Sequence, residues 1–248
     1  MTRWIKQTVN DWARRAGYEV RARRQITNDG AHEAIHSAAT YSPWNLDAEF
    51  RRVFDIIAHQ TLVDRYRCFD LWSLLGQVDH LPGAVLEVGV WKGGTGALLA
   101  RRVQLGHSTA QVFLCDTFRG VVKASERDPN YRGGEHADAA VADVKALLDR
   151  VGAGQVTILT GVFPDETAAR IPPQPFRFCH IDVDVYESAK QTAEWIWDRL
   201  VPGGIIVFDD YGFYGCDGVR AYVDEQRHRS DRVTIYNLNG HATVVKLR

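Results

Sequence analysis

The rhythm of hydrophobic and polar positions along this chain changes once, at Pro82-Gly83. Before that point apolar residues recur at irregular helical spacing. An arginine-rich opening (Arg14, Arg15, Arg21, Arg23, Arg24) leads into a polar stretch ending at Ser42-Pro43, and a helix-periodic segment follows from Leu46 to Leu75. This predicts an N-terminal helical cap over residues 1–80. Beyond it, short β-rich runs alternate with helical stretches, the signature of βαβ units and a largely parallel α/β sheet over residues 81–248. The predicted strands cover residues 84–90, 111–118, 156–163, 176–183 and 204–211, and the predicted helices cover 94–104, 136–151 and 186–200. Two last β-runs, 233–238 and 241–247, flank Asn239-Gly240, a strong hairpin signal, so an antiparallel pair is expected to close the sheet.

Charge and composition narrow the partners. Lysine plus arginine number 30 against 31 acids, so nothing overall steers the chain to nucleic acid or an anionic membrane, and a small molecule is the expected partner. Trp12, Tyr18 and Val20 interleave the basic opening and make it read as a helix with a solvated face rather than a nucleic-acid contact. No run approaches the ~20 apolar residues of a membrane span, and the first residues lack the apolar core of a signal peptide, so a cytoplasmic location is expected. Cys68, Cys115, Cys179 and Cys216 are widely spaced, which fits reduced structural thiols.

The first strand runs into Glu87-Val88-Gly89-Val90-Trp91-Lys92-Gly93-Gly94 and then a helix. Glycines there let the backbone turn tightly against a ligand, and the helix N-terminus offers unpaired N–H groups. The spacing is neither Gly-x-Gly-x-x-Gly nor a phosphate-cradling loop. Glu87 beside the ligand would repel a pyrophosphate but suits the cationic end of S-adenosylmethionine. The second strand ends at Asp116-Thr117-Phe118, placing an acid where ribose hydroxyls bind. The candidate donor site therefore takes in Glu87, Gly89, Trp91, Gly93, Gly94, Asp116, Thr117 and Phe118, together with Gly161 and Val162 at the end of the third strand.

Strands four and five are apolar runs that end in acids, at Asp182 and Asp184 and at Asp209-Asp210. Ligands in open α/β sheets bind beyond the strands' carboxyl ends, and neighbouring strands lie only ~4.8 Å apart, so these acids can converge on a cation. An all-oxygen set suits magnesium, with Asp182, Asp209 and Asp210 as the candidate ligands. Consecutive residues of a regular strand face opposite ways, so Asp209 and Asp210 can share an ion only where the strand has ended. Asp184 reads as a group outside that set or as a helix cap. His180 shares the side-chain parity of Asp182 and reads first as a buried, satisfied histidine and second as a group supporting the metal ligands.

In these words, and in Asp116-Thr117-Phe118-Arg119-Gly120, Ile181-Asp182-Val183-Asp184-Val185-Tyr186-Glu187-Ser188 and the run from Leu200 to Tyr211, the sequence resembles the macrocin O-methyltransferase family, from about Thr61 to the C-terminus. The resemblance implies a Rossmann-like class I methyltransferase sheet, which the predicted terminal hairpin matches, and methylation of a sugar hydroxyl on a natural product or activated deoxysugar. It also implies magnesium on Asp182, Asp209 and Asp210, and a donor-side segment at Thr61-Leu62-Val63 with Arg67 following. A proton acceptor is implied at Asp182 or at a histidine of the loop after strand two, here His136, and a homo-oligomer is expected. N-methylation of an amino sugar, a non-catalytic cofactor-binding partner, and an NAD oxidoreductase are the competing readings, the last disfavoured by the first glycine loop.

Overall fold

The computed structural model describes residues 30–106 and 109–248; the arginine-rich opening lies outside the described residues. Residues 30–39 are irregular and belong to a separate unit, while Thr40–Arg248 forms one compact unit. The unit from Thr40 opens with one 3-10 turn (Pro43–Asn45), followed by two helices, α1 (Ala48–Ile57) and α2 (Arg65–Gln77). Each is started by an aspartate that satisfies N–H groups no helical carbonyl can reach. Asp47 accepts from the Phe50 N–H, and Asp64 accepts from the Tyr66 and Arg67 N–H groups. The periodic segment read as one run is therefore two helices, and the break at residues 58–64 carries Thr61 and Leu62.

Then follow β1 (Ala84–Val88), α3 (Gly94–Leu105), β2 (Val112–Asp116), α4 (Val141–Val151), β3 (Val156–Thr160), β4 (Phe176–Ile181), α5 (Tyr186–Trp197), β5 (Leu200–Phe208), α6 (Asp217–Gln226), β6 (Arg232–Tyr236) and β7 (Ala242–Lys246). They build one seven-stranded sheet in the order β3-β2-β1-β4-β5-β7-β6, parallel through β5 and antiparallel at β7 and β6. The expected α/β sheet with an antiparallel C-terminal pair is what the structure has.

Side-chain alternation divides the core in two. Val85, Val112, Leu114, Phe178, Ile205 and Val207 face α1 to α4 on one side, whereas Leu86, Phe113, Cys179, Ile206 and Phe208 face α5 and α6 on the other. Both faces are covered, which is why the central strands read as unbroken apolar runs rather than alternating ones. Strand order reverses between β1 and β4, leaving a crevice beyond their carboxyl ends. Among the described residues no helix is long and apolar enough to cross a membrane.

Three local expectations change. The helix predicted from His136 starts at Val141, because residues 136–140 are loop and His136 holds a left-handed φ of 62°. Helix α6 was not anticipated, since its buried stripe is only Gly218, Val219, Tyr222 and Val223 in a polar segment. The hairpin is not a two-residue turn at Asn239-Gly240: Tyr236 pairs with Ala242 and leaves five residues between the strands. The longer loop lets His241 turn inward, where it is fully buried.

Across the first core, Glu49 of α1 accepts hydrogen bonds from Arg52 on its own helix and from Arg101 of α3. These bonds, led by the one from Arg52, hold its pKa down at about 2. A carboxylate with a depressed folded pKa contributes stability above its ordinary value and loses it as pH falls toward the folded value. Glu49→Gln should therefore cost about 1 kcal/mol or less at pH 7, and that difference should vanish in urea titrations repeated between pH 4.5 and 2.

Candidate active site

Each wall of the crevice is made where an apolar strand gives way to an irregular turn. β1 ends at Val88, and Gly89 follows at φ 87°, a left-handed conformation. A Cβ on Gly89 would overlap the Asp182 carbonyl oxygen, so only glycine lets these two strand ends lie side by side. Gly93 and Gly94 serve packing. A side chain on Gly93 would meet Val144 at 2.8 Å, and one on Gly94 would meet the Gln60 carbonyl at 2.6 Å. The Gly94 N–H in turn donates to that carbonyl, which pins the break between α1 and α2 to the start of α3. Gly89→Ala is expected to abolish S-adenosylhomocysteine binding in calorimetry, whatever fraction of the protein remains folded.

Asp116, at the tip of β2, organises the turn. One carboxylate oxygen accepts from the Val90 and Trp91 N–H groups at 2.6 and 2.8 Å, and the other from the Phe118 N–H at 2.6 Å. Trp91 and Phe118 both sit at positive φ, at 46° and 50°, so the carboxylate fixes two strained turns at once. The sequence reading gave Asp116 to ribose hydroxyls; it lines the cavity, but its first partners are backbone. Thr117 is similar, with its hydroxyl donating to the Gly120 carbonyl and accepting from the Arg119 N–H.

The cavity measures about 440 Å³. Of the sequence-selected residues it is lined by Thr61, Leu62, Gly89, Trp91, Asp116, Thr117, His136, Gly161, Asp182, Asp209 and Asp210. Gly93, Gly94, Phe118 and Val162 fall outside the lining: the glycines are packed as described, Phe118 joins the core, and the Val162 N–H donates to Glu166. Glu87 needs a larger correction. It is fully buried in β1, its Oε1 lies 2.9 Å from His180 Nδ1, and it does not reach the cavity. On a strand the parity that turns Val88 toward the ligand turns Glu87 away from it.

The carboxylates converge. Oxygens of Asp182, Asp209 and Asp210 lie within 4.8 Å of one another. β5 ends at Phe208, so Asp209 and Asp210 have left the strand and its alternation no longer separates them. Their environments differ sharply. Asp209 is buried, which alone would favour its neutral form, but Arg67 forms an ion pair with one oxygen and His241 Nε2 contacts the other at 2.9 Å. With His180 Nε2 at 3.6 Å, these groups hold its pKa below the usual carboxylate range. Asp182 is pushed well up by burial and by the charges of Asp209 and Asp210, and Asp210 rises through burial and the charges of Asp184 and Asp209. An all-oxygen set crowded enough to resist its own ionisation is one that a hard divalent cation fits.

Sequence reading missed much of the support for this set. His180 was expected to be buried and satisfied, with support of the carboxylates as the alternative. Burial opposes its charge, yet the carboxylates of Asp209 and Glu87 on either side push its pKa up to about 10. His241 Nδ1 lies 2.9 Å from Asp70, a residue of α2. Tyr131 donates to Asp184 at 2.6 Å, and Asp184 stands at a left-handed φ of 66°. Tyr131, Phe213 and Tyr214 also line the cavity. They come from loops with no periodic signal, and His241 was masked by the turn signal just before it.

Residues 8–239 match the family described as Macrocin-O-methyltransferase (TylF). The chain belongs to the macrocin-O-methyltransferase family, and so to the methyltransferases. It is 32% identical over 155 residues to an 8-demethyl-8-(2,3-dimethoxy-α-L-rhamnosyl)-tetracenomycin-C 4′-O-methyltransferase of Streptomyces olivaceus, covering 58% of this chain and 59% of that one. To the mycinamicin III 3″-O-methyltransferase of Micromonospora griseorubida it is 27% identical over 225 residues, 84% of this chain and 86% of the relative. The chain thus spans less than two thirds of the first relative and most of the second. The solved O-methyltransferase NovP superposes with a TM-score of 0.67 at 22% identity, over 76% of this chain and 83% of that one, a likeness that shows the class I methyltransferase fold.

Proposed function

We propose that this chain moves a methyl group from S-adenosylmethionine to a sugar hydroxyl, on a glycosylated natural product or an activated deoxysugar, with a magnesium ion held by Asp182, Asp209 and Asp210. The convergence of those three carboxylates within 4.8 Å at the wall of the cavity carries the reading. Family membership supports the reaction, and both relatives are named as O-methyltransferases of elaborate natural products.

In this reading the Gly89 turn, held by Asp116, and the Thr61 segment cradle the donor. A sulfonium is already a potent methyl donor, so the work left to the protein is to align a hydroxyl with the methyl carbon and to accept its proton. When bound, the ion supplies Lewis acidity that makes a nearby hydroxyl easier to deprotonate. Family resemblance suggested Asp182 or His136 as the base. Asp182 is committed to the ion, and we assign the first proton acceptance to Asp184, whose Oδ1 is fixed by Tyr131 while the residue borders the same cavity. His136 lines that cavity too, its ring edge-on to Trp91 with centroids 6.1 Å apart, and serves as the onward acceptor. The C–O bond forms as the S–C bond breaks, the electron pair stays on sulfur, and the hydroxyl proton ends on the protein.

Two measurements test this. Removing divalent ions with EDTA should abolish methyl transfer and magnesium should restore it, while Asp182→Ala loses Mn²⁺ binding by electron paramagnetic resonance and keeps affinity for S-adenosylhomocysteine; full activity in EDTA refutes the role of the ion. Asp184→Asn should lower kcat by about 10²–10⁴ with donor affinity intact. His136→Asn should lower it less, and single-turnover kinetics separates the two.

A further inference from the structure

Two histidines that the proposed reaction does not use meet Asp209 behind the cavity wall. We infer that His180, His241 and Asp209 form a second metal site, distinct from the all-oxygen set, that takes a first-row transition ion of the zinc class.

Geometry makes the first part of the case. His180 of β4 and His241 of the loop between β6 and β7 are both fully buried. Each aims its Nε2 at the same oxygen, Asp209 Oδ1, from 3.6 and 2.9 Å respectively. One ligand atom from each of the three residues lies within 4.8 Å of the other two. Ligand atoms ~2.0–2.1 Å from a tetrahedral zinc stand about 3.3 Å apart, a value between the two observed separations. At 3.6 Å the approach of His180 is too long for a hydrogen bond, and its Nε2 has no hydrogen-bond partner among the described residues. A ring nitrogen buried in that state and facing a carboxylate oxygen is a place for a cation.

The backing of the two rings is the second part. A histidine that binds a metal through one nitrogen characteristically has the other hydrogen-bonded to a carboxylate or carbonyl, which fixes the tautomer and makes the ring a better ligand. Both rings are held in that way. His180 Nδ1 lies 2.9 Å from Glu87 Oε1, and His241 Nδ1 lies 2.9 Å from Asp70 Oδ2. Asp70 is steadied in turn by Asn237, whose side-chain amide donates to it at 2.8 Å. Acids that favour a proton on these rings favour a metal ion in its place, so the two compete for the same lone pairs. Two imidazoles and a carboxylate suit zinc, whereas magnesium prefers oxygen alone, and three protein ligands leave the fourth position of a tetrahedral ion to water. Asp209 can belong to both sets, because a carboxylate offers two oxygens and about four lone-pair sites. It also lines the cavity, which gives the ion a way in.

The test replaces zinc by cobalt, whose four-coordinate complexes absorb strongly in the visible and whose six-coordinate oxygen complexes absorb only weakly. Chelator-stripped protein in excess magnesium is titrated with Co²⁺, and Zn²⁺ is then titrated against the bound cobalt. Stoichiometric cobalt should develop the intense band and zinc should displace it. Free zinc at about 100 times its Kd should raise Tm by about 5 °C. Asp182→Ala, which breaks only the all-oxygen set, should keep the band. His241→Gln should lose it, and Asp70→Asn, which leaves all three ligands in place, should weaken cobalt binding about 10–100-fold. S-adenosylhomocysteine binding reports whether each variant is folded; where His241→Gln is not, Asp70→Asn decides. A weak six-coordinate spectrum in the unaltered protein, or a band that Asp70→Asn leaves unchanged, overturns the site. Methyl transfer enters none of these measurements, so their outcome is separate from that of the proposed reaction.

Discussion

The structure depends on the neutralisation of one buried carboxylate. Asp209 sits 3% exposed at the end of β5, where an unpaired ion would be strongly disfavoured, and it is met by groups from three separate parts of the chain. Arg67 comes from the start of α2, His241 from the loop between β6 and β7, and His180 from the neighbouring strand β4. Each of these is itself held by an acid: Arg67 by Asp64, His241 by Asp70, His180 by Glu87. Each charged member of this network thus faces a partner of opposite charge or a hydrogen-bonding ring nitrogen, so it can lie in the core without a large electrostatic penalty. Because its members are anchored in α2, in β1, in β4 and in the terminal hairpin, the same network fixes the segment before α2 and the Asp209 carboxylate relative to each other.

That network explains what the sequence made legible and what it hid. The sheet was readable because β1, β2, β4 and β5 are covered on both faces and must be apolar throughout, a pattern that survives without any knowledge of their neighbours. Asp182, Asp209 and Asp210 were readable because acids at the ends of such strands have no packing reason to be there. Glu87 was misplaced for an instructive reason. It lies one residue from the ligand-facing end of β1, and the alternation of a strand sends it into the core, where only a histidine from the next strand makes an acid tolerable. The pairing of Glu87 with His180 is a register fact, since the two are Cα partners across β1 and β4, and register between strands separated by 93 residues is not written in either segment alone.

Strand ends were over-extended by the sequence for the same physical cause. Residues such as Gly89, Val90, Thr117 and Val183 continue the composition of the strand before them, but here the chain leaves the sheet and lines the cavity. Left-handed residues mark the departures at Gly89, Trp91, Phe118 and Asp184. Three of these, Trp91, Phe118 and Asp184, are not glycine, and there the left-handed backbone is costly for a fold that gains nothing from it. Their concentration at the crevice, each stabilised by a partner such as Asp116 or Tyr131, is what distinguishes a site from an ordinary set of loops.

The asymmetry among the three converging acids follows from where the cations stand. Arg67 and His241 are both on the Asp209 side, so that carboxylate is ionised and oriented before anything binds, while Asp182 and Asp210 have no comparable neighbour and repel one another. A site built this way is half prepared. In the proposed reading one ligand would already be fixed, and two others would gain their charge as a cation arrives, tying metal capture to proton release.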